Sequence, residues 1–215
     1  MNAYAANPAA QAVPEIYFEY GSILDEVIAE NRSVLCEISD KNIDLIKNVR
    51  VKLNEAWKKN GKSLLTDTVD IMQRGFAKKE LSVYLSLCNV PSMSTPPIVN
   101  ILEYLPTFVK RNRKLDVIFE GLIFHEILHS YLTENWPTIF RNSRLTKKYR
   151  ADGMLITNHL HLLSIQKMIY LLQNREDDLK FIIADDSRFP AYKRAWQIVN
   201  QFEDYKAFIF EILQE

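Results

Sequence analysis

Residues 119–132 read Phe-Glu-Gly-Leu-Ile-Phe-His-Glu-Ile-Leu-His-Ser-Tyr-Leu, and no other stretch constrains the fold as much. The run is apolar, it is interrupted by Glu120, His125, Glu126 and His129, and Gly121 is its one helix-weakening residue. On a helix, residues four apart stand one turn above each other on the same face. His125 and His129 can therefore both point at one metal ion. Glu126 is turned by about 100° from His125, which brings its carboxylate beside a metal-bound water instead of onto the metal. Two imidazoles of that spacing with a carboxylate between them form a hydrolytic metal constellation.

Histidine is otherwise scarce. The chain holds four, His125, His129, His159 and His161, and all fall between positions 125 and 161. Histidines used singly for core packing would not cluster in this way. The plainer alternative is an amphipathic core helix that carries two histidines four apart by chance.

Through His125-Glu126-x-x-His129 the chain resembles the zincin metallopeptidases. The resemblance covers the motif helix and extends weakly to the strand before it and the helix after it. It implies an α+β, predominantly α-helical, zincin-like fold, with a small sheet preceding the active-site helix and a helical C-terminal part. It also implies a Zn2+ cofactor held by His125 and His129. Glu126 would be the catalytic base that activates a metal-bound water to hydrolyse a peptide or protein substrate. The alternative is a catalytically inactive zincin-like protein that acts as a binding module.

The third ligand has to come from elsewhere. In metzincins a third histidine follows the second by six residues; here position 135 is Asn and position 132 is Leu, which excludes that branch. Gluzincins place a glutamate on a later helix, and the apolar stretch 154–173 contains none. His159 and His161 lie in that stretch, where buried imidazoles need partners. Two residues apart on a helix, they do not easily face one metal together. His159, next to polar Asn158, is preferred as the ligand, with His161 as the alternative and Asp152 still open. A His₃ set suits a catalytic zinc. Tyr131, Tyr149 and Arg150 are candidates for stabilising an oxyanion. Glu126-x-x-His129 also matches half of a di-iron carboxylate site, but the chain has no second Glu-x-x-His.

The chain as a whole excludes several other classes. Lys+Arg and Asp+Glu both number 27, so no net field favours nucleic acid or an anionic membrane. No apolar stretch is long enough to span a bilayer. Residues 1–14 form a small, polar, Pro-containing tail without the basic and apolar regions of a signal peptide. The tail resembles the segment just after a signal cleavage site, which leans towards a periplasmic or secreted protein if a signal was removed, and otherwise a cytoplasmic one. Cys36 and Cys88 read as structural, either as a disulfide or as two thiols. The 215 residues suit a tail followed by one domain over 15–215, divided near 136 into a part with the sheet and motif helix and a helical part.

Along the chain, 15–20 is short and β-prone, and helices are expected from Ser22 and from Asp40. Asn60-Gly61 is expected to end the second as a left-handed cap, with a further helix over 63–74. Leu81, Val83, Leu85 and Leu87 alternate and give the clearest strand, a candidate for the edge along which a peptide would lie or for that edge's neighbour. A second strand is expected at 98–101. The basic run 110–114 reads as a solvated turn. The motif helix is expected over about 115–135, a long connection over 138–153, a single apolar helix over 154–173, and terminal helices to 213.

Overall fold

A computed structural model describes residues 13–30, 33–104, 113–201 and 205–215. The expected N-terminal tail lies almost wholly outside the described residues, as do residues 110–112 of the basic run. The fold is α+β and predominantly helical, with one four-stranded sheet. Its elements are β1 (Glu15–Tyr20), α1 (Ser22–Ala29), α2 (Asp40–Ala56), a π-helical turn (Trp57–Gly61), α3 (Lys62–Met72), β2 (Glu80–Ser86), β3 (Met93–Ser94) and β4 (Pro97–Asn100). A 3-10 turn at Leu102–Tyr104 comes next, then α4 (Arg113–Asn135), α5 (Ile139–Asn142), α6 (Arg144–Lys147), α7 (Met154–Thr157), α8 (Leu160–Leu172), α9 (Glu176–Asp186), α10 (Pro190–Gln201) and α11 (Lys206–Leu213). Among the described residues no helix is long and apolar enough to cross a membrane.

The chain forms two interleaved compact units. One comprises Pro14–Lys62 and Lys78–Ser130; the other includes Ser63–Ala77 and Tyr131–Glu215. Helix α4 belongs to both, through Ser130 and from Tyr131.

The first unit is built on the sheet, in the order β1-β2-β4-β3. β1 and β4 both run parallel to β2, and β3 closes the far edge antiparallel to β4. Parallel neighbours need a crossover connection, here supplied by the helices between β1 and β2. The alternation in β2 has its expected effect: Leu81, Val83 and Leu85 are buried while Ser82 and Tyr84 are half-buried. β2 is interior, and among the described residues the edge strands are β1 and β3. Phe18 of β1 meets the indole of Trp57 edge-on at 6.2 Å. At the C-terminal end of β2, the buried Asp25 of α1 accepts hydrogen bonds from Ser86 Oγ (2.5 Å) and the Leu87 amide (2.7 Å). Burial raises its pKa, against the opposing pull of its bonds from Ser86, Leu87 and Tyr20. Cys36 and Cys88 form a disulfide beside this knot, which settles the question the sequence left open.

Asn60-Gly61 does not stop a helix. The chain continues in helical conformation from Asp40 to Met72, widening into the π turn at Trp57–Gly61. The glycine serves close approach: a Cβ at position 61 would lie within 2.2–2.4 Å of the Trp57 ring. A left-handed residue does occur further on, at Gln73 (φ 55°), just past α3.

The second unit is helical. α8 is buried over most of its surface, from Leu160 through Gln166 and again at Ile169 and Tyr170, as expected of a helix without a polar face. It packs against α10 and α11, whose Trp196, Val199, Phe208 and Ile212 are almost inaccessible. Each such side chain contributes about 1.5–3 kcal/mol on burial. Gln173 at its end donates to Asp67 of α3 at 2.6 Å. The long connection expected over 138–153 holds α5, α6 and a 3-10 turn. Gly153 (φ 101°) then turns the chain into α7 with a backbone conformation that suits glycine.

Candidate metal centre

His125, Glu126 and His129 occupy consecutive turns of α4, where Phe124, Ile127 and Leu128 are fully buried. His125 and Glu126 are themselves buried and His129 is half-buried. The four-residue spacing brings the two imidazole rings to a centroid separation of 4.9 Å, inclined at 73°.

His159 lies where the sequence predicts unbroken helix. The stretch over 154–173 is instead two helices, α7 and α8, and His159 is the residue before α8, with φ −94° and ψ −13°. Its Nδ1 lies 2.5 Å from the carbonyl oxygen of Leu155. A carbonyl only accepts, so Nδ1 carries the proton and Nε2 keeps its lone pair. A hydrogen bond of this kind on the second ring nitrogen is what fixes the tautomer of a metal-ligating histidine. Burial lowers the pKa of His159, outweighing the opposing effect of the Leu155 bond. The ring is thus neutral near pH 7, the form that binds a metal.

His125, His129 and His159 each offer one ligand nitrogen, and these atoms all lie within 4.8 Å of one another. Three nitrogens around one tetrahedral zinc, each about 2.1 Å from it, stand about 3.4 Å apart. Three imidazole nitrogens suit a transition-metal ion such as zinc, copper, iron or nickel, whereas calcium and magnesium call for oxygen ligands.

Of the other candidate residues, His161, Asp152 and Tyr131 are engaged elsewhere. His161 is fully buried, its Nε2 lies 3.0 Å from Glu211 Oε2, and its ring meets Phe208 edge-on at 5.4 Å. Asp152 is paired with Arg194 through contacts of 2.8 and 3.4 Å. Tyr131 is fully buried and its hydroxyl donates to the Arg74 carbonyl oxygen at 2.6 Å. Its phenol is pushed above the ordinary range by burial, against the pull of Arg74. Tyr149 is half-buried and Arg150 exposed. Sequence reasoning did not find Glu211, Arg194 or Tyr192, whose ring packs against His159 at 4.7 Å. None carries a local motif, and their partners lie tens of residues away in the chain.

Comparison with known proteins adds no identity: no family model, no curated protein and no solved structure matches this chain.

Proposed function

We propose that the chain is a zinc-dependent metallopeptidase of the zincin kind, with His125, His129 and His159 as ligands and Glu126 as general base. The observation that carries this reading is the meeting of the three histidine nitrogens, two from the motif and one from a separate helix junction. A bound zinc would polarise a peptide carbonyl and lower the pKa of water towards neutrality. Glu126, adjacent to His125 on α4, would accept the proton lost by the attacking water and pass it to the leaving amine. The Leu155 carbonyl holds His159 in the tautomer that ligation needs. An extended substrate would pair at the edge of the sheet, which on one side is β3, in the same unit as the motif histidines. Ser130 of α4 donates to the Ser94 carbonyl oxygen of that strand at 2.5 Å.

The test joins metal content to turnover. Glu126→Gln is expected to retain zinc while losing at least 100-fold in peptide hydrolysis, the scale of general-base removal. Full activity in a zinc-loaded Glu126→Gln protein would refute the role of Glu126.

A further inference from the structure

The proposed third ligand lies off the motif helix. His125 and His129 are fixed to each other by one helix, whereas His159 sits at the break between α7 and α8. The Leu155 hydrogen bond fixes its tautomer. A hydrogen bond at the edge of a ring does not by itself fix the ring plane, and packing against the ring restrains it further.

Tyr192 of α10 packs against this ring. Its ring centroid lies 4.7 Å from that of His159, with the planes inclined at 58°. Tyr192 is held in turn by Phe189 at 6.3 Å, edge-on. Two residues further along α10, Arg194 grips Asp152 in the turn that leads into α7. α10 therefore touches both the Asp152 side chain, in the turn before α7, and the ring of His159.

We propose that Tyr192 is a positioning residue for the third metal ligand, its ring fixing the plane of His159 so that Nε2 is aimed before a metal arrives. This rests on the reading of His159 as a ligand. Groups that orient a metal-binding histidine typically account for 10–100-fold in metal affinity. The proposal assigns this work to the flat ring, so Tyr192→Phe should leave affinity within about twofold of the native protein, and a loss as large as that of Tyr192→Leu would overturn it.

Zinc affinity would be measured by competition with a chromophoric chelator, for the native protein, Tyr192→Phe, Tyr192→Leu and Tyr192→Met. Leu and Met preserve apolar volume without the flat face. The expected result is a 10–100-fold loss in the last two and none in Tyr192→Phe. In a His159→Ala background, titrated at zinc concentrations high enough to fill the weaker site left by His125 and His129, Tyr192→Leu should have no further effect on zinc affinity, whereas a role in general packing would persist there. Native-like zinc affinity in folded Tyr192→Leu overturns the proposal, and so does an undiminished effect in the His159→Ala background. Unfolding of both metal-free Tyr192→Leu and Tyr192→Met at 25 °C also overturns it, because Tyr192 would then serve the fold and not the ligand. Failure of the native protein to bind zinc overturns the metallopeptidase reading itself, a result separable from the others.

Discussion

Glu211 is the residue on which the helical unit depends most visibly. From α11 its Oε1 accepts from the backbone amides of Arg144 (2.5 Å) and Leu145 (3.2 Å). Its Oε2 accepts from Ser143 Oγ (2.6 Å) and faces His161 Nε2 at 3.0 Å. One carboxylate thus binds the start of α6, the last helix and α8. Burial pushes its pKa up, but the hydrogen bonds from His161, Ser143, Leu145 and Arg144 outweigh this and bring it from 4.5 to about 2. A shift of that size corresponds to about 3 kcal/mol at neutral pH. Its side chain is 18% accessible, and solvent screening reduces the figure to about 2 kcal/mol. Because the folded pKa is depressed, this stability is present above 4.5 and is lost as pH falls through that value towards about 2. Glu211→Gln replaces one acceptor oxygen with a donor that faces other donors. It should lower stability by about 2 kcal/mol at pH 7, with more than half of the gap closed by pH 3. The assay is urea unfolding followed by tryptophan fluorescence, since Trp136 and Trp196 both belong to this unit. A gap below about 0.5 kcal/mol at pH 7, or one that is unchanged at pH 3, would refute the reasoning.

Three further predictions concern the fold. Gly61→Ala should destabilise the sheet-bearing unit by about 2 kcal/mol, seen as a lower thermal midpoint, because the new methyl collides with the Trp57 indole. The disulfide closes a separation of 52 residues, so Cys36→Ala/Cys88→Ala should cost about 4 kcal/mol in the chain-entropy picture; the native protein should release no thiol to a labelling reagent until it is reduced. The Asp186 carboxyl, raised to about 6 chiefly by burial and in spite of the 2.7 Å bond from Trp196 Nε1, is stabilising when protonated. Its contribution is present below 3.8 and lost as pH rises through about 6. Asp186→Asn should therefore be more stable than the native protein at pH 7 by about 1–2 kcal/mol, an advantage that vanishes near pH 4 in the same unfolding assay.

What is legible in the sequence is local. The alternation of Leu81, Val83 and Leu85 marks a strand because its period survives in any sheet, and the apolar run over 119–132 marks a helix whatever surrounds it. The interior place of β2 depends on pairings that the strand itself does not encode. Gly61 misleads because glycine serves both left-handed turns and close contacts, and only the position of Trp57 distinguishes them. Between His159 and His161 the local signal is slight. What separates them is Glu211, 50 positions beyond His161, and a helix break at 158–159 that no glycine or proline announces. Asp152 is occupied by a cation 42 residues away. Tertiary partners, not local residue type, decide which polar groups are taken up elsewhere in the fold.

The central claim is that His159 completes a zinc site begun by His125 and His129. It is tested most directly by zinc content per chain, measured by elemental analysis of purified native, His159→Ala and His161→Ala proteins after dialysis against trace zinc. About one zinc per chain is expected in the native and His161→Ala proteins, and little or none in His159→Ala. A native protein without zinc, or zinc retained by His159→Ala but lost by His161→Ala, would contradict the account.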